Sequence, residues 1–247
     1  LELLQFVAHL RELSGGKPVG FKLCVGHPVE WFGIAKAMVQ SGIAPDFIVV
    51  DGSEGGTGAA PAEFADNVGM PLRDGLRLVH NTLIGLGLRQ QIKIGAAGKM
   101  ITSFDIARAL AIGADWCNSA RGFMFALGCL QSLHCHTDAC PTGVATQDPL
   151  RQQALVVADK WQRVRNFHDS TVASLAELIG AAGLDHPSQL RPTHIMTRDA
   201  DGKAISFARS LDKVAKSALL QTDLDVDALP EPFRSYWSVA SPDRFNA

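Results

Sequence analysis

The chain has 247 residues, of which 47% are hydrophobic and 19% charged, and its formal net charge is −2 at pH 7. This composition supports a substantial core and excludes a basic nucleic-acid-binding surface. No apolar run reaches membrane-spanning length, and five cysteines without a disulfide-scaffold pattern favour a reducing compartment, so we expect a cytoplasmic protein without membrane contact.

Helices and strands are predicted to alternate along the first half of the chain. An amphipathic N-terminal helix is followed by strands at 19–25, 47–51, 92–95 and 115–119, with helices at 30–42, 72–88 and 103–113 between them. Because each strand is almost wholly apolar, the pattern predicts parallel βα units. Residues 150–182 are predicted to be helical, and 185–247 are rich in proline and aspartate and weakly patterned.

The chemically rich residues follow the predicted strands. Lys22 lies late in the first strand, the Gly-rich loop 51–60 follows the second, Gly98-Lys99 follows the third, and 118–122 follows the fourth. Ligands of parallel sheets bind at the carboxyl ends of the strands, so we expect one shared site there.

Each of these features also has a structural interpretation. A glycine-rich loop is often only a tight turn, and Lys99 and Arg121 could be solvated loop cations. Lys22 is different, because a lysine in an apolar strand is costly unless it is paired, faces a cavity or reaches water. We therefore favour a functional role for Lys22.

Cys129, Cys135 and Cys140 form a C-x5-C-x4-C run that ends in Cys-Pro. Three thiolates in a short loop can hold an iron–sulfur cluster. Zinc remains open because His134 and His136 flank Cys135, although the spacing matches no common zinc pattern. Buried structural thiols are the third possibility.

Taken together, these motifs resemble the FMN-binding synthase domain of glutamate synthases, in particular the short type without a glutaminase domain. The resemblance covers about residues 1–195 and is carried by the segments 21–23, 51–61, 113–115 and 129–147. It implies an α/β fold, namely the C-terminal half of a (βα)8 TIM barrel with a cluster-binding loop in residues 1–149. Residues 150–247 would form a helical and irregular extension.

The resemblance also implies cofactors and ligands. Cys129, Cys135 and Cys140 would hold a 3Fe–4S cluster, and Lys22 would contact FMN and the substrate carboxylate. The flavin site would be lined by Gly55, Gly56 and Thr57. The FMN phosphate would be held by Gly98, Lys99, Ser119 and Ala120.

The implied reaction is the reductive amination of 2-oxoglutarate to L-glutamate. Ammonia would come from solution or from glutamine. Electrons would come from ferredoxin or an NAD(P)H-dependent reductase subunit. The N-terminal half of the barrel would be supplied in cis or by another chain. Two alternatives stay open: another FMN-dependent oxidoreductase on the same scaffold, or a non-catalytic barrel fragment.

Overall fold

A computed structural model describes residues 1–55 and 60–245 of the chain. Its centre is a parallel sheet in the order β1-β2-β3-β4. The strands are β1 (Gly20–Leu23), β2 (Phe47–Asp51), β3 (Lys93–Ala97) and β4 (Trp116–Asn118). The predicted parallel α/β architecture is confirmed, and closure into half of a barrel stays a prediction.

Helices connect successive strands, as a parallel sheet requires, and a further helix lies before β1 and another after β4. In chain order they are α1 (Glu2–Leu13), α2 (Pro28–Ser41), α3 (Ala62–Asn67), α4 (Leu72–Gly85), α5 (Ser103–Ile112) and α6 (Arg121–Leu127). Capping boxes fix two of the helix starts: His27 with Glu30 opens α2, and Thr102 with Asp105 opens α5. Gly42 ends α2 with a positive φ of 67°.

The two faces of the sheet differ. Ile48, Val50 and Ile94 point to the helix-covered face and are fully buried with Phe32 and Leu76 in one core. The opposite face is partly exposed, and Trp116 lies across it. Gly95 allows this close approach, since a Cβ there would meet the indole ring at 2.6 Å.

The C-terminal part packs back onto the same core. The helices α7 (Pro149–Gln152) and α8 (Val157–Ala181) follow the cysteine loop, and α8 packs against α5 and α6. Further on come the antiparallel strands β5 (Met196–Arg198) and β6 (Ala204–Ser206), and then α9 (Phe233–Tyr236).

Aromatic contacts join this extension to α2. The ring of Phe32 lies 5.0 Å from that of Phe233 and 5.2 Å from that of Trp237. Lys36 donates a hydrogen bond of 2.9 Å to the Ala240 carbonyl. The segment 185–245 is therefore folded against the helices that cover the sheet, although its short elements carry little sequence signal. The predicted division at 149/150 stays a prediction. Within the described residues, no helix is long and apolar enough to cross a membrane.

Candidate functional site

A pocket of about 130 Å³ opens at the carboxyl ends of all four strands. It brings together much of the predicted site from segments far apart in sequence. The lining residues are Lys22, Asp51, Gly55, Ala97, Gly98, Lys99, Asn118, Ala120, Arg121, Met124 and Cys135.

Lys22 and Asp51 form the polar centre of this pocket. The Lys22 Nζ lies 2.6 Å from Asp51 Oδ2, and the side chains are 54% and 16% exposed, respectively. Lys22 pairs with Val49 in the sheet register, so Asp51, two residues further along β2, lies on the same face as the lysine. The lysine is accommodated in an apolar strand because its ammonium group both reaches solvent and is paired with Asp51.

Glycines allow the loops after β2 and β3 to approach each other. A Cβ on Gly55 would lie 3.1 Å from the Gly98 Cα and closer still to the Asp51 carboxylate. Gly98 has a φ of 140°, a backbone conformation that favours glycine. The other two predicted loop residues, Gly56 and Thr57, lie outside the described part of the structure.

The predicted phosphate-binding residues are only partly gathered. Gly98, Lys99 and Ala120 line the pocket, together with Arg121. Ser119 follows β4 at the same edge, but its hydroxyl donates to the Met100 carbonyl at 2.7 Å. The serine therefore ties the β3 and β4 loops together.

The charges of the pocket suit an anion. Three of its lining residues are basic and one is acidic, and the acidic one is already paired with Lys22. The volume is below the roughly 300–1,000 Å³ typical of small-molecule sites. The pocket can therefore hold a phosphate or a carboxylate group, and a whole flavin would need further walls.

The cysteine loop reaches this pocket through Cys135. Cys140 is buried, and the Cys129 Sγ accepts a hydrogen bond from the backbone N–H of Gln131 at 3.4 Å. Across residues 1–55 and 60–245, no group of three or more His, Cys, Asp or Glu side chains is arranged to hold a metal ion. In a cluster each thiolate binds a different iron, so the three thiols need not converge on a single point. Their ligand role stays a prediction.

The Cys140 thiol is nevertheless tuned towards the thiolate. Burial raises its pKa, but hydrogen bonds from Thr142 and from backbone groups of Ala145, Thr142 and Val144 outweigh burial and lower the pKa to about 7. The loop is closed by Asp138, which accepts hydrogen bonds from the Gln147 N–H at 2.6 Å and from the Thr146 hydroxyl at 3.0 Å. A thiolate is the form that binds metals.

The sequence placed Asp51 and Asn118 in the segments expected at the site but assigned neither an individual role, and it did not single out Met124; all three line the pocket. Asp51 had a detectable signal, since it is the acidic residue that ends an apolar strand. Its pairing with Lys22 depends on the register of β1 and β2, which residue types alone do not reveal.

Comparisons with known proteins show the family of this chain. Residues 1–185 match the family model described as the conserved region in glutamate synthase. The chain is 48% identical over 206 residues to the glutamate synthase large subunit-like protein YerD of Bacillus subtilis (strain 168), covering 83% of this chain and 39% of that protein.

Archaeal-type proteins are also similar to it. The chain is 36% identical over 191 residues to the archaeal glutamate synthase (NADPH) of Methanocaldococcus jannaschii, covering 77% of this chain and 37% of the relative. The archaeal-type glutamate synthase (NADPH) of Thermotoga neapolitana is 34% identical over 191 residues, which again cover 77% of this chain and 37% of the relative. The chain thus spans about two fifths of the length of these relatives. With the family match over three quarters of its residues, the chain belongs to the glutamate synthase family.

Proposed function

We propose that this chain is part of a glutamate synthase-type oxidoreductase that makes L-glutamate from 2-oxoglutarate and ammonia with FMN as its flavin. The observation that carries the proposal is the pocket at the strand ends, in which Asp51 holds Lys22 beside Cys135 and two glycine-containing loops. Membership of the glutamate synthase family supports the reaction class. The names of the archaeal-type relatives include NADPH, which favours NADPH over ferredoxin as the electron source.

FMN fits the charge of the site but not its present size. Lys99 and Arg121 line the pocket with Gly98, where the phosphate would be held. The pocket is too small for the ring system, and within the described residues β1 and β4 are the outer strands of the sheet. We therefore propose that an N-terminal barrel half pairs with these edges and completes the flavin site.

The residues of this chain would bind and orient the reactants. Hydride transfer to the imine formed from 2-oxoglutarate and ammonia is the chemistry that bound FMN supplies. Lys22 would bind a substrate carboxylate or stabilise negative charge that develops at the reacting centre. Asp51 would keep the ammonium group of Lys22 in place, and Lys99 and Arg121 would hold the phosphate of FMN.

The cysteine loop remains the proposed position of the 3Fe–4S cluster, with Cys129, Cys135 and Cys140 as ligands. Within the described residues no side chains converge on a single metal ion, and no step of the reaction is assigned to a cluster. Ammonia would come from solution or from a separate glutamine-hydrolysing subunit.

The test is Lys22→Met in the complete protein, meaning this chain together with the segment that completes the barrel. The change keeps most of the stem and removes the charge. We expect FMN to stay bound and glutamate formation to fall about 100-fold, the scale for loss of one electrostatic stabiliser. Lys17→Met, at an exposed position before β1, is the matched control.

Flavin absorbance and glutamate formation should be measured in the same preparations. Near-normal turnover with normal flavin content would show that Lys22 is only structural. Flavin binding without ammonia-dependent glutamate formation would favour a different FMN-dependent oxidoreductase. A wild-type protein without flavin would support the non-catalytic alternative.

A further inference from the structure

A second and larger groove lies at the opposite edge of the sheet. Its volume is about 720 Å³, within the roughly 300–1,000 Å³ typical of small-molecule sites. Lys93, the first residue of β3, and Asp115, which precedes β4, mark its floor. The five-residue strand β3 separates this groove from the pocket at the carboxyl edge, a distance of about 15 Å.

The groove is strongly basic. Two of its lining residues are acidic, and both are already paired: Asp115 with Arg89 at 2.8 Å and Asp212 with Arg77 at 3.4 Å. The basic lining residues are Arg77, Arg89, Lys93, Arg191, Lys213 and Lys216. Positive charge therefore exceeds negative charge along the wall, which attracts anions.

Arg89 is a fixed part of the floor. Its side chain is only 15% exposed. The guanidinium donates to the Gly113 carbonyl at 2.7 Å, the Ile92 carbonyl at 3.1 Å and the His80 Nδ1 at 3.2 Å, in addition to its ion pair with Asp115. Arg89 thus contributes a fixed positive charge, and these contacts use four of its five N–H donors.

Lys213 and Lys216 are the cations available to a ligand. Both are exposed on the wall of the groove. Within the described residues, neither has a carboxylate within ion-pair distance. Lysine ammonium groups bind phosphate as point charges, so these two side chains can receive the anionic end of a ligand.

The rest of the groove suits an apolar body. Ile84 on α4, Leu110 on α5 and Leu211 on the C-terminal extension lie on its wall between the charged groups. A ligand that fills the groove would bury an apolar or aromatic portion against these side chains. Inorganic phosphate alone would leave this surface uncovered.

The outer wall of the groove belongs to this chain's extension. Residues 186–192 and 211–216 supply it, whereas the match to the family model ends at residue 185. We propose that this groove binds a small phosphorylated organic anion of the nucleoside-phosphate class, with its phosphates at Lys213 and Lys216 and its base between Ile84, Leu110 and Leu211. The ligand would lie apart from the pocket at the carboxyl edge and leave that pocket open.

The test is calorimetric titration of the complete, FMN-saturated protein with ATP in the absence of Mg²⁺. Adenosine and inorganic tripolyphosphate are the comparison probes. We expect ATP to bind at least about tenfold more tightly than either, because only ATP has both the charge and the apolar body. Equal binding of ATP and tripolyphosphate would overturn the assignment of the apolar wall, and no binding of ATP would overturn the site itself.

Variants locate the binding. Lys213→Gln with Lys216→Gln should weaken ATP binding at least about tenfold, since two charge-assisted contacts are lost. The matched control, Lys17→Gln with Lys203→Gln, makes the same charge change at exposed positions away from the groove and should change affinity less than about twofold. All four lysines are exposed, so the variants should fold. Undiminished affinity in the groove variant would place ATP elsewhere and refute the proposal.

Discussion

The ion pair between Lys22 and Asp51 allows a sharp test of how the site is organised. Asp51→Asn keeps the shape of the side chain and removes the charge that lies 2.6 Å from the Lys22 Nζ. Lys22 is 54% exposed, so solvent screens the pair, and the change should lower the free energy of unfolding by less than about 1 kcal/mol. We expect glutamate formation in the complete protein to fall about tenfold, because misplacement of a catalytic group by about 1 Å is costly.

A double-mutant cycle separates positioning from independent action. Lys22→Met alone is expected to lower turnover about 100-fold, or about 2.7 kcal/mol in activation free energy, and Asp51→Asn alone about 1.4 kcal/mol. If Asp51 acts only through Lys22, the double variant should be no slower than Lys22→Met. Independent contributions would add to about 1,000-fold.

The assay is the rate of glutamate formation at saturating 2-oxoglutarate and ammonia, with flavin content measured in each variant. A decrease in kcat with little change in KM is the expected signature of a positioning residue. An additive cycle would refute the positioning role and require Asp51 to contact substrate or flavin itself. Loss of flavin from Asp51→Asn alone would also contradict it, since the proposed phosphate contacts lie on other loops.

Two further predictions concern stability, measured by urea unfolding of the complete protein. Phe233→Ala should lower the free energy of unfolding by about 3–5 kcal/mol, because Phe233 is 1% exposed and packs on Phe32. The exposed control Val239→Ala should lower it by less than about 0.5 kcal/mol. An equally small effect at Phe233 would show that the extension is not part of the core. Burial, aided by the Arg89 guanidinium, lowers the pKa of His80 from 6.5 to about 4, so the unfolded chain binds a proton at higher pH than the folded chain. This group should therefore remove about 2 kcal/mol of stability between pH 7 and pH 5, and an identical pH dependence in His80→Gln would contradict that assignment.

Local sequence signals predicted the sheet well because its strands are short apolar runs. The predicted strand 47–51 has the bounds of β2. The capping box of Thr102 and Asp105 marks the start of α5. These features depend on neighbours within a few residues, which a sequence pattern records directly.

The elements that the sequence did not predict depend on distant contacts. The helix α6 has seven residues and no side-chain cap, and Phe123 on it packs against Phe167 of α8 at 5.1 Å. The strands β5 and β6 have three residues each and pair across a turn that ends near Gly202, whose φ is 77°. That Asp-Gly turn was the one local signal that could have revealed the pair.

The candidate site shows the same division. That Lys22, Gly55 and Gly98 meet at one edge follows from the general geometry of parallel sheets. The pairing of Lys22 with Asp51 needs the register. The position of Cys135 on the same pocket needs the path of the cysteine loop, in which Cys135–Thr137 form a short 3-10 helix. The basic groove needs the return of residues 186–216 to the sheet, for which the sequence has no pattern.

Non-glycine residues with a positive φ are unevenly distributed over the molecule. In the described part of the chain, five non-glycine residues have positive φ. Four of them lie at the candidate site: Lys99 on the pocket, and Gln131, Leu133 and Asp138 in the cysteine loop. Such conformations cost about 1–3 kcal/mol each and persist only where the surroundings enforce them. The fifth, Ser217, lies in the C-terminal extension, where its N–H donates to the Ile84 carbonyl. The strands and the long helices contain none of these residues, so most of the strained backbone lies in the loops at the carboxyl edge of the sheet.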